Sequence, residues 1–119
     1  MKLCLIGTGY VGLVSGTCFA DLGNKVYCVD RDIKKINKLN SGKPTIYEPG
    51  LDELIKKNHK SGRLIFTTRL QEAVKKSDII FICVGTPNIK NSHEVDLTAV
   101  FNAVKQLAKL TKSKKILIN

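Results

Sequence analysis

Gly7-Thr8-Gly9-Tyr10-Val11-Gly12 stands between a short apolar run, Lys2 to Ile6, and a stretch from Tyr10 to Leu22 long enough for a helix. A strand that passes through such a turn into a helix has few folds open to it, because each glycine has its own steric duty. Gly7 permits the tight turn, Gly9 leaves no side chain in the way of a diphosphate, and Gly12 lets the helix pack on the strands. The free N–H groups and positive dipole end of that helix then favour an anion. Gly12, Gly16 and Ala20 recur four apart, so a small-residue stripe lets the helix lie close to a sheet. A second strand-like run, Lys25 to Asp30, ends on a carboxylate placed to accept hydrogen bonds from the hydroxyls of an adenosine ribose. The same carboxylate would repel the 2′-phosphate of NADP by ~1 to 4 kcal/mol at moderately high effective dielectric, which favours NAD. Arg31 pulls the other way, since a guanidinium can pair with a phosphate or stack on adenine.

Beyond Asp30 the chain keeps alternating helix with strand. Asp32 reads as an N-cap, Ile33, Ile36 and Leu39 recur at helical spacing, and Gly42 supplies a stop. After Pro44 and Pro49, Leu51, Leu54 and Ile55 mark a mostly polar third helix ending near Ser61 and Gly62, and Leu64 to Thr67 is a third strand. Thr68 and Gln71 have capping-box spacing ahead of Leu70, Ala73 and Val74. Ile79 to Val84 is nearly continuously apolar, as in a central strand buried on both faces. Val100, Phe101, Val104, Leu107 and Ala108 trace one face of a helix behind an Asp96 cap, and Lys115 to Ile118 begins another strand. This alternation predicts an α/β fold: a Rossmann-like, doubly wound parallel sheet in three α/β/α layers, one domain over residues 1–119. The last apolar strand reads as cut off by the terminus, so further protein or a partner copy is expected over that edge. Val84, Gly85, Thr86 and Pro87 fall at the carboxyl edge of the fourth strand, where ligands bind in such sheets. Thr86 could hydrogen-bond a dinucleotide near its nicotinamide half, or the segment is an ordinary turn shaped by Gly and Pro.

Composition sets the remaining bounds. A chain of 119 residues, 43% hydrophobic and 25% charged, suits one compact domain. No apolar run nears the ~20 residues of a membrane span, and Met1 leads at once into a strand-like run, so a cytoplasmic location without membrane association is expected. The formal charge of +10 favours an anionic partner. The lysines are dispersed, however, and three Tyr and four Phe form no base-stacking pattern, which argues against nucleic acid. Cys4, Cys18, Cys28 and Cys83 lack C-x-x-C spacing; His59 and His93, read as solvent-facing, do not complete a metal cluster, so no metal is expected.

Together GTGYVG, VDRDIKKINKLNSG, TIYEPGLDEL, GRLIFTT and FICVGTP, in this order, resemble the nucleotide-sugar dehydrogenases, the UDP-glucose/GDP-mannose dehydrogenase family. The resemblance covers essentially the whole chain and corresponds to the N-terminal NAD-binding domain. Members acting on UDP-glucose are nearest, with those acting on GDP-mannose or UDP-N-acetylmannosamine as alternatives. A non-catalytic NAD-sensing regulatory domain is the alternative of another class, which the YEPGL and VGTP segments oppose. The resemblance implies NAD contacts from the glycine loop Gly7, Thr8, Gly9, Tyr10, Val11 and Gly12, from Asp30 and Lys35 at the adenosine ribose, and from Thr86 further along the cofactor, while Arg31, Val84, Gly85 and Pro87 are candidates from their position. It also implies oxidation of the C6 alcohol of a UDP-sugar to a carboxylate, with two NAD per turnover and a thiohemiacetal or thioester on a cysteine, in a full-length homo-oligomer serving polysaccharide biosynthesis. In this family the catalytic cysteine, lysine and asparagine lie beyond the equivalent of Asn119, so no residue here is assigned as catalytic and the chain alone is expected to bind NAD without turnover. Tyr47, Glu48 and Pro49 match specifically, but only a structural turn follows from them. Two departures stand out: Arg69 where the family usually has an acidic residue, and a long, glycine-poor stretch from Asn88 to Glu94.

Overall fold

The apolar runs pair side by side in the computed structural model, which describes residues 1–119. Lys2–Ile6 (β1) lies between Lys25–Val29 (β2) and Ile79–Ile82 (β4); Leu64–Thr67 (β3) flanks β2, and Ile116–Ile118 (β5) flanks β4. All four pairings are parallel, and the order is β3-β2-β1-β4-β5. Parallel neighbours require crossovers, and helices supply them: Tyr10–Asp21 (α1), Ile33–Asn40 (α2), Leu51–Lys60 (α3), Leu70–Lys76 (α4) and Thr98–Leu110 (α5). The chain reverses its direction of travel across the sheet between β1 and β4. In a doubly wound sheet the ligand crevice opens at that switch, outside the carboxyl ends of the strands.

Side-chain alternation along each strand sorts the core into two layers. Leu3 and Leu5 of β1, Val26 and Cys28 of β2, and Leu64 and Phe66 of β3 face α1, α2 and α3, which contribute Leu13, Ala20, Ile36, Leu39, Leu51 and Ile55. Cys4, Ile6, Val29 and Ile80 face the other way, against Ala73 and Val74 of α4 and Leu107 of α5. The three-layer arrangement is therefore as expected. The small-residue stripe also behaves as expected, since Gly12, Gly16 and Ala20 are buried in α1 and a Cβ on Gly16 would come within 2.5 Å of the Cys28 sulfur.

Five local expectations need correction. Thr68 and Gln71 form no capping box: the Arg69 N–H donates to the Thr67 hydroxyl, Arg69 takes the N-cap position, and α4 has no side-chain cap. The β4 strand stops at Ile82, and only its Ile80 is buried; Ile79 and Phe81 are partly covered on the α1 face and Ile82 on the α4–α5 face. On α5 the inward stripe is Ala103 and Leu107, with Val100 and Leu110 partly covered, while Phe101, Val104 and Ala108 are exposed. The Asp96 carboxylate accepts from the Thr98 N–H one residue ahead of the formal cap position. His59, expected in solvent, is half-buried, with Nδ1 3.1 Å from the Leu64 carbonyl and its ring against Phe66. His93 is exposed as expected, and no helix is long and apolar enough to cross a membrane.

Candidate functional site

The glycine turn is built by close approach of backbone to backbone. Gly7 has φ +105°, and a Cβ there would lie 2.5 Å from the Cys83 carbonyl oxygen and 3.2 Å from the Val84 nitrogen. A Cβ on Gly12 would sit 1.9 Å from the Gly7 carbonyl oxygen. These contacts press the end of β1 against the end of β4 and bring Val84 and Gly85 beside the turn. Gly9 differs from both: with φ −73° it caps α1, and a Cβ built on it meets nothing within 4 Å. The space over Gly9 is open.

That space faces the first turn of α1, which has no side-chain cap and no acidic residue. Helix N-termini carry N–H groups without intrahelical partners, and here nothing in the first turn neutralises their partial positive charge. The shape and polarity suit a diphosphate whose oxygens bridge those donors.

Asp30 stands beside the turn, just past the end of β2. Its Oδ2 accepts from the Thr8 N–H at 2.9 Å and from the Thr8 hydroxyl at 2.7 Å, its Oδ1 accepts from the Asp32 N–H at 3.0 Å, and Lys35 Nζ lies 3.9 Å from Oδ2. Burial alone would push this carboxyl up, but the hydrogen bonds from Asp32 and Thr8, aided by the Lys35 charge, hold it below the ordinary value of 3.8. Asp30 is therefore an oriented anion with about one of its four lone-pair sites left for a ribose hydroxyl, and a second opens if the Thr8 hydroxyl turns aside. Asp32 serves twice, since its side chain also caps α2 at the Lys34 and Lys35 N–H groups and so sets the base of the Lys35 side chain.

The structure thus gathers Gly7, Thr8, Gly9, Gly12, Asp30 and Lys35 at the carboxyl ends of β1 and β2 and sets Val84, Gly85, Thr86 and Pro87 just past the end of β4 beside them. Thr86 is exposed, as is Arg31 next to Asp30. From Asn88 to Val95 the glycine-poor stretch folds into a small hairpin, bridged at Asn88 and Val95, with Asn91 at φ +61°. Arg69 answers its unusual position by pairing with Glu72 at 3.0 Å. One contact was not legible in the sequence: the Tyr10 hydroxyl donates to Glu48 Oε2, across 38 residues. Concavities of about 300 Å³ over β2 and β3 beside α4 and about 190 Å³ between α5 and the β4–β5 pair are lined by no residue of the glycine turn, Asp30 or Val84 to Pro87.

A parallel sheet with a glycine turn at its switch point, an open helix N-terminus and an acid at the end of the second strand defines a dinucleotide-binding domain of the Rossmann type. The model of the UDP-glucose/GDP-mannose dehydrogenase family, NAD binding domain, matches residues 1–119, and the chain belongs to that family as its NAD-binding domain. It is 52% identical over 108 residues to a UDP-glucose 6-dehydrogenase of Rhizobium meliloti, covering 91% of this chain and 25% of that protein. With the UDP-glucose 6-dehydrogenase TuaD of Bacillus subtilis it shares 51% over 118 residues, 99% of this chain and 25% of the relative. Among solved structures, a ternary complex of GDP-mannose dehydrogenase from Pseudomonas aeruginosa superposes with a TM-score of 0.93 at 38% identity, covering 98% of this chain and 27% of that one. The chain therefore spans about a quarter of the length of the relatives it matches.

Proposed function

We propose that this chain is the cofactor-binding unit of a nucleotide-sugar dehydrogenase that oxidises the C6 alcohol of UDP-glucose to the carboxylate, with two NAD and one water consumed and two NADH formed. The observation that carries this reading is the pairing of an open Gly9 with the pre-oriented Asp30 at one sheet edge. In it the first turn of α1 receives the diphosphate, the Gly7 to Gly12 backbone lies beneath it, and Asp30, with Lys35 and Arg31 beside it, takes the adenosine ribose. Val84 to Pro87 line the nicotinamide side, where the Thr86 hydroxyl is free to bond. When bound, NAD supplies the hydride acceptor.

No residue of this chain is assigned to covalent chemistry. Thiolates are the reactive form, and burial pushes the Cys4 thiol up to about 12 and raises those of Cys28 and Cys83. Cys18 is exposed on α1, away from the glycine turn. Catalytic and sugar-binding groups are placed in protein outside these 119 residues, and full-length protein is proposed to be a cytoplasmic homo-oligomer. UDP-glucose is preferred over GDP-mannose because two UDP-glucose 6-dehydrogenases are 52% and 51% identical, although two others, at 42% and 40%, fall below the 44% over 97 residues of a GDP-mannose 6-dehydrogenase of Pseudomonas aeruginosa.

Calorimetric titration with NAD and NADP tests the reading. Wild-type chain is expected to release heat with NAD at millimolar concentration and to prefer it over NADP, and Asp30→Ala is expected to erode that preference. An unchanged preference in Asp30→Ala would remove Asp30 from the ribose. UDP-glucose-dependent NADH formation by the purified chain would overturn the placement of the chemistry elsewhere.

A further inference from the structure

The glycine turn is held by side chains at two points only. On its inner side Thr8 is bonded to Asp30; on its outer side Tyr10 is bonded to Glu48. Glu48 precedes α3, and its carbonyl accepts the Leu51 N–H at 3.1 Å, so the start of that helix fixes the carboxylate's base. The far ends of the same two helices are also tied, since Asp21 at the end of α1 accepts from Lys57 at 2.7 Å and from Asn58 at 3.0 Å on α3. Side by side and tied at both ends, α3 braces α1. The Asp21 tie lies at the far end of α1 from the glycine turn. The Tyr10 tie lies on the first residue of α1, where the N–H groups offered to a diphosphate begin.

Resting on the proposed NAD reading, we infer that Glu48 is a positioning residue for the diphosphate seat: through the Tyr10 hydroxyl it fixes the uncapped first turn of α1, so that the N–H groups there face the ligand as a set. This gives the YEPGL segment a role that its sequence alone did not disclose. An exposed hydrogen bond of this kind contributes little to folding, because water competes for both partners. Its effect is local. A ligand that needs several aligned N–H groups is sensitive to the tilt of one turn, whereas a ligand held only through Asp30 is not. The Glu48 carboxylate raises the Tyr10 phenol above its ordinary value, as expected of a phenol that donates to it.

The test compares wild type with Glu48→Ala, Glu48→Gln and Tyr10→Phe. NAD affinity is read by calorimetry, adenosine affinity by ligand-detected NMR, and melting temperature by circular dichroism. Losing one such hydrogen bond from the bound state is expected to weaken NAD by about three- to tenfold in Glu48→Ala and Tyr10→Phe. Glu48→Gln keeps an acceptor for the phenol and is expected to stay within about twofold of wild type. Adenosine affinity and melting temperature should not move. NAD binding as tight in Glu48→Ala as in wild type overturns the inference and leaves the NAD reading standing. Equal losses for NAD and adenosine, or failure of Glu48→Gln to rescue, overturn it in favour of a general structural role. No NAD binding by wild type overturns the cofactor reading itself, and this inference with it.

Discussion

Asp30 illustrates how one residue can be legible in type and position but not in state. Its place at the end of β2 followed from the sequence, because an apolar run stopping on a carboxylate is a local pattern. Its partners are three residues, and one of them, Thr8, lies 22 positions away. Thr8 reaches it from the glycine turn, Asp32 folds back from the start of α2, and Lys35 leans in from the next turn. Their sum decides the sign of the shift: hydrogen bonding and charge outweigh burial, and the folded-state carboxyl lies below 3.8. Because the folded value is depressed, the stabilisation is fully present above the unfolded value and is lost as pH falls through the folded one. Melting temperatures measured from pH 6 downward should therefore fall on acidification below about pH 4, and Asp30→Asn should flatten that limb. Some slope should remain from Asp21, held down by Lys57 and Asn58, and from Asp96, held down by Thr98. An acid limb identical in Asp30→Asn and wild type would show that the Asp30 bonds are already made in the unfolded chain or contribute nothing.

At the scale of elements, the unit that matters is β1, the glycine turn and α1 taken together. Its glycines look equivalent in the sequence but divide into two kinds in the fold. Gly7 and Gly12 are required by the protein's own backbone, since a Cβ on Gly12 would overlap the Gly7 carbonyl oxygen. Gly9 is required by nothing within the chain. Gly9→Ala should therefore melt within a degree or two of wild type and lose NAD affinity by at least about tenfold, because the new methyl occupies the open space. Gly12→Ala should be destabilised by several kcal/mol or fail to fold, the severity expected when backbone must shift. A Gly9→Ala variant with unchanged NAD affinity would place the diphosphate elsewhere. The strands and helices themselves were legible because their apolar spacing is strong. The exceptions have particular causes. The capping box at Thr68 is absent because the Thr67 hydroxyl, two residues back, takes the Arg69 N–H and the N-cap position falls on Arg69. The stripe on α5 was misassigned because that helix is apolar on more of its surface than the structure covers. Periodicity reveals which residues can face a core, and the neighbouring layer decides which ones do.

Across the whole molecule the two edges of the sheet are unequal. At one edge, α2 and α3 pack over β3, Leu64 and Phe66 are buried, and the His59 ring bonds the Leu64 carbonyl. At the other, Ile116, Leu117 and Ile118 of β5 are all exposed, and Phe101 on the adjacent α5 is 59% exposed. An uncovered apolar edge strand offers unpaired backbone groups beside unburied side chains, the combination that promotes strand-to-strand association. The formal charge of +10 opposes it, since like-charged copies repel over roughly a Debye length, about 10 Å at 0.1 M salt. The balance should thus shift with ionic strength in a direction opposite to that of an ion-paired interface. Sedimentation velocity on this chain is expected to show association that strengthens from 0.05 to 0.5 M salt, as screening removes the repulsion while the apolar contact persists. Ile116→Lys, which sets a charge on the edge strand, should abolish it without changing the melting temperature by more than a few degrees. Association that weakens with salt would assign the contact to charged surfaces instead, and undiminished association in Ile116→Lys would move it away from β5.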